Sequence, residues 1–176
     1  MSKIETNTID TVSGTTNLTI GSTNSSTVTF ENGSCTGHMF PAFLVFMDAD
    51  QTVTSGTWTK LLLDTTTYDT DSGFASNKYT VPSNKGGKYL ISYAAGTGSL
   101  TSSSHGALRV YKNGSSVNSS FIRSYPNSST GAHMAKTIPL ELAAGDYLEL
   151  YGQHTKGSDV IFDSRYTFLS AFRIGA

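Results

Sequence analysis

The chain has 176 residues, 37% hydrophobic and only 14% charged, with a formal net charge of −1. Such a length suits one domain with a real core, and the shortage of charge, against about 25% in ordinary soluble domains, places polarity on Ser and Thr hydroxyls. The near-zero balance excludes a basic field for nucleic acid, the single cysteine Cys35 excludes a disulfide framework, and no apolar run reaches the ~18 residues of a membrane span.

Residues 1–37 are nearly free of charge and aromatics and carry a faint repeat: Thr8-Ile9, Leu18-Thr19-Ile20 and Val28-Thr29-Phe30, each followed by turn-forming residues. Each unit exposes one apolar edge that nothing nearby in the chain can cover, so the segment is expected to stack on copies of itself or dock on a larger assembly. A flexible Ser/Thr-rich leader is the plain alternative. Met1–Glu5 lacks the apolar core of a secretory signal, so synthesis in a cytosol is expected.

The composition changes at Pro41, and residues 38–176 form the expected globular domain. Alternating apolar runs predict strands near 41–47, 51–54, 57–64, 78–81, 88–94, 107–112, 119–125, 133–142, 146–153 and 165–175. Asn113-Gly114 is a hairpin signal, Ala144-Gly145-Asp146 a tight turn, and Asn84 to Gly87 a glycine-supplied reversal. No stretch keeps a helical period over ten residues. An all-β antiparallel sandwich or jelly roll follows.

Within that domain Leu63, Asp69, Phe74, Val81, Gly87, Tyr89, Ile91 and Tyr93 keep the spacings of a known signature. The pattern resembles the globular head of complement C-one-q, with Leu63, Val81 and Ile91 standing where that family prefers Phe. Pro41-Ala42-Phe43 resembles its opening strand, Leu140 to Leu150 its hairpin of leucines around Gly-Asp, and Phe168 to Phe172 its closing strand. The resemblance implies a ten-stranded jelly roll of the tumour-necrosis-factor type, assembled as a homotrimer through an aromatic inner sheet. Lys3 to Ile9 and the runs after it resemble the N-terminal segments of marine tailed-phage fibre proteins.

These readings lead to a non-enzymatic trimeric virion protein of a tailed phage, a fibre tip or capsid decoration on the virion exterior. Residues 1–37 would join other virion proteins, and the outer loops would meet a host-surface glycan or protein. The alternative is a cellular, secreted or surface-displayed, C-one-q-like recognition module. Catalytic residues, nucleic-acid binding and membrane insertion are not expected, since no Gly-x-Ser-x-Gly and no specified acid pair occurs. The seam of the trimer is expected at Tyr93 and Tyr151, with Trp58, Tyr89 and Tyr147 in the core or at the same seam.

Loops near 95–106, 126–132 and 154–164 are expected to lie together at the end away from the chain's entry. His105, Asn127, His154, Lys156 and Asp159 are their candidate binding side chains. His38, His105, His133 and His154 are too scattered for a zinc site, so no cofactor is expected. Asp69 to Gly73 has calcium-loop spacing without the distal Glu and reads as a turn. Asp48, Asp50, Asp159 and Asp163 offer oxygens for a calcium ion shared among three copies.

Overall fold

The computed structural model describes residues 41–175, so segment 1–37, Cys35 and His38 lie outside the described residues. The chain enters through β1 (Ala42–Phe46), then forms β2 (Gln51–Val53), β3 (Thr59–Lys60), β4 (Thr65–Asp69), β5 (Phe74–Ala75) and β6 (Lys78–Thr80). The longer strands β7 (Gly87–Thr97) and β8 (Gly106–Lys112) follow, with β9 (Ser115–Ser116), a 3-10 turn at Asn118–Ser120 and β10 (Ile122–Ser124). Three long strands close the fold: β11 (His133–Leu142), β12 (Tyr147–His154) and β13 (Val160–Gly175).

Two antiparallel sheets result. The first runs β11-β7-β13-β1-β4 with β2 added on β13, and the second runs β10-β8-β12-β6-β5 with β3 on β12 and β9 on β8. This is the all-β jelly roll expected from the alternation, with thirteen strands rather than ten among the described residues because several are two or three residues long. In the long strands every second side chain points inward. Tyr89, Ile91 and Tyr93 of β7 meet Leu148 and Leu150 of β12 in one core, where the Phe43 ring stacks on Tyr79 with centroids 4.1 Å apart.

The signature residues explain themselves here. Leu63, Val81, Tyr89, Ile91 and Tyr93 are all buried in that core, Phe74 packs against it, and the Asp69 carboxylate accepts the Phe74 N–H at 2.7 Å. Asp71 is paired with Lys85 at 3.1 Å, so the acidic residues of the Asp69–Gly73 stretch hold a turn. Asn113 and Gly114 both take positive φ, 52° and 75°, joining β8 to β9 by the two-residue turn that Asn-Gly favours.

Two expected strands differ. Over 57–64 only Thr59 and Lys60 form a strand; the buried Leu61 still donates its N–H to the Leu150 carbonyl of β12, Leu63 is buried beyond it, and the chain then forms β4 from the polar Thr65–Asp69. The expected strand at 119–125 starts as a 3-10 turn, because the buried Ser120 hydroxyl takes the Val110 N–H at 2.9 Å and folds the chain back.

Turns at Asn113-Gly114 and Ala144-Gly145 lie at the end where Pro41 enters, its carbonyl accepting the Arg173 N–H at 2.9 Å. The opposite end gathers the loops 98–105, 125–132 and 155–159. The Leu100 N–H donates to the Thr130 carbonyl, the Thr155 N–H to the His105 carbonyl, and Leu100, Ala132 and Val160 bury one another in a small cluster.

Candidate functional site

Among the described residues, the outward face of the first sheet carries a broad apolar surface. Alternation on β1, β7, β11 and β13 sets Ala42, Phe172, Leu90 and Pro139 side by side in one row. Phe46, Phe168, Ala94 and Ala135 make a second row, and Leu44, Ser170, Ser92 and Thr137 lie between them. Phe172, Ile174 and Tyr68 remain 47%, 48% and 46% exposed. The charges Lys88 and Glu141 oppose each other at the lower edge, which leaves the middle rows uncharged. A neutral face of this kind excludes water well against a like surface and offers little to a polar ligand.

Above these rows β13 breaks register between Asp163 and Phe168. The irregularity turns Tyr166 outward, where it meets the His133 ring edge-on at 4.7 Å. Asp163 is held below the usual carboxylate range by its hydrogen bonds from Arg165, the nearer at 2.5 Å. Asp50 accepts both the Ser164 N–H and hydroxyl, at 2.8 and 3.0 Å. These carboxylates are therefore engaged within the chain, and no group of three or more metal-ligating side chains is arranged for an ion among the described residues.

At the loop end, four of the five candidate binding residues stand at the rim. His105 faces Tyr125 with ring centroids 5.0 Å apart and meets the Thr155 hydroxyl at 3.2 Å. Burial, and then the charge of Arg123, lower its pKa below the ordinary histidine value. Asn127 and Asp159 are exposed, and Lys156 is half-buried. His154 is a correction. It is the last residue of β12, fully buried, with Nε2 2.8 Å from the Val53 carbonyl and Nδ1 accepting the Lys156 N–H at 3.3 Å. It braces the rim from beneath and cannot touch a partner.

Of the two residues expected at the seam, Tyr93 is likewise corrected. Tyr93 shares the inward parity of Tyr89 and Ile91, is buried within one chain, and donates its hydroxyl to the Ser120 carbonyl. Tyr151 lies on the outward face of the second sheet, stacked on Tyr111 with centroids 3.9 Å apart. The apolar face uses the opposite parity: Leu90 and Ala94 of β7, not Tyr93.

The second sheet carries what the sequence reading missed. On its outward side Arg109 sits between Trp58 and Phe121, 5.1 and 5.0 Å from their ring centroids. Arg123 lies 6.0 Å from Phe121 and 5.4 Å from Tyr125. The spacing Phe121, Arg123, Tyr125 along an alternating strand was the available signal.

No protein-family model matches the chain, and no curated protein does. Among solved structures it is similar to the globular domain of zebrafish complement 1qA, with a TM-score of 0.55 and 16% identity over 76% of this chain and 97% of that one. It is similar also to murine APRIL, with a TM-score of 0.56 and 11% identity over 77% and 99%. Identities this low establish the fold: a jelly roll of the complement and tumour-necrosis-factor type.

Proposed function

We propose that this chain is a non-enzymatic, self-associating structural module of a tailed-phage virion. Three copies close around an axis through the outward face of the first sheet, with residues 1–37 joining other virion proteins and the loop rim facing a host surface. The observation that carries the self-association is the uncharged double row from Phe172 to Pro139 and from Phe46 to Ala135, which the described residues leave uncovered. The repeat in residues 1–37 and the hydroxyl-rich, charge-poor composition support the virion role.

Two measurements test the two halves. Sedimentation velocity of the full chain at micromolar concentration is expected to give a trimer, and a monomer would remove the assembly. Mass spectrometry of purified phage particles is expected to find the chain in stoichiometric amount; its absence from particles would remove the virion role and leave a cellular recognition module.

A further inference from the structure

We propose that the outward face of the second sheet is a binding strip for an acidic saccharide, a sugar chain that carries carboxylates. The strip climbs from the stacked Tyr111 and Tyr151 through Arg109, between Trp58 and Phe121, to Arg123 beside Tyr125. Arg109 stands opposite Tyr151 in the β8–β12 register, and Arg123 opposite Ala107, two residues along β8 from Arg109. Both guanidiniums are thus on one face of one sheet.

What sets them apart is that each is a guanidinium packed on aromatic rings with no carboxylate beside it. Lys60, Lys85, Lys112 and Arg165 each meet a carboxylate within 3.1 Å, and Glu149 is already taken by Lys60 at 2.6 Å. Neither Arg109 nor Arg123 meets a carboxylate among the described residues, and the Nε of Arg109 is buried with no hydrogen-bond partner. Aromatic rings hold a guanidinium by its faces and leave its N–H edge free, the geometry that grips a planar carboxylate through two parallel hydrogen bonds. The neighbouring rings offer flat apolar surface to the C–H faces of the flanking sugars.

Charge decides the class of polymer. Two unpaired guanidiniums on a chain of net charge −1 fall well short of the roughly 6–10 phosphate contacts that hold a nucleic acid, but they suit a polymer with one carboxylate per ring. The outward faces of a two-sheet sandwich point in opposite directions, so an assembly closed by the first sheet leaves the strip open. The inference does not depend on the virion role.

The test is calorimetric titration of the full chain with three probes: an alginate hexasaccharide, neutral maltohexaose and a deoxyadenylate hexamer. Alginate is expected to bind about tenfold tighter than either control, and Arg109→Lys, which keeps the charge and loses the fork, to weaken it about fivefold. Arg123→Gln, at an exposed position, is expected to weaken alginate binding to a similar degree, with sedimentation unchanged. Equal affinity for maltohexaose, equal or tighter binding of the oligonucleotide, or no binding of alginate overturns the proposal. So does dissociation of the assembly by Arg123→Gln, which would make the strip a contact between copies. Loss of binding with the trimer intact leaves the proposed function standing, and a monomeric parent that still binds alginate separates the two in the other direction.

Discussion

Phe172→Asp is expected to turn the assembled protein into folded monomers. Phe172 stands on β13 between Ala42 and Leu90, with 47% of its surface exposed in a single chain. On a ring residue of roughly 200 Å2 that exposure is about 95 Å2, and at ~25 cal/mol per Å2 its burial between copies contributes about 2.4 kcal/mol. Three copies around an axis multiply this to about 7 kcal/mol, and each buried, unpaired carboxylate in the variant adds a penalty of several kcal/mol. The same Asp in a free chain stays half in water and costs the fold little. Sedimentation velocity across a micromolar dilution series reads the assembly, and near-ultraviolet circular dichroism reads the packing of each copy. A variant that sediments with its parent refutes the reasoning, because the face would then lie outside the interface. Tyr93→Asp is the informative contrast: a charge in the core between the sheets should unfold the chain outright.

Gly152→Val should lower the melting temperature by several degrees, since a Cβ there would come within 2.6 Å of the Phe162 ring and 3.2 Å of Leu61, an overpacking worth about 1–3 kcal/mol. His154→Ala removes a buried ring that bridges Val53 and Lys156, and should cost about 2–4 kcal/mol by denaturant titration while leaving the sheet spectrum intact. Burial pushes the Tyr93 hydroxyl up to about 12 and raises Tyr79 and Tyr89 as well. An unfolded tyrosine ionises near 10, so stability is full below that pH and falls as pH rises through the folded values; a flat stability profile from pH 9 to 12 would contradict this. Tyr93→Phe should therefore lose about 1–2 kcal/mol at neutral pH, with its hydrogen bond to Ser120, yet unfold at a higher alkaline midpoint relative to its own neutral stability.

Most of the fold was legible because strand alternation is a local property. His133–Leu142 reads as a strand from its own residues, and the Asn113-Gly114 turn states its geometry without reference to anything distant. What failed was parity and partnership. Tyr93 looks like an interface residue in the sequence and Leu90 does not, but a shift of one residue reverses the face, and only the pairing of β7 with β11 and β13 decides which side meets the core. The polar Thr65–Asp69 gave no alternation to read, since it is recruited to an edge by β1. His154 sits at the boundary of strand and loop, where element limits are least certain, and the single residue by which β12 extends carries it inside. Trp58 is far in sequence from Arg109 and Phe121, so only the Phe121, Arg123, Tyr125 spacing announced part of the strip locally.

The two outward faces differ in a way that one physical constraint explains. In the proposed trimer the first sheet would meet copies of itself around an axis, where like charges would accumulate; its middle rows hold none. A surface that meets solvent carries no such restriction. The second sheet can therefore keep Arg109 and Arg123 without carboxylates, stacked on rings that cover their apolar faces. Pro139 fits the same division: it lies on β11, an edge strand of the first sheet, where its missing N–H removes a donor that a stray strand could use. Edge-to-edge addition is thereby blunted, as the proposed face-to-face association requires.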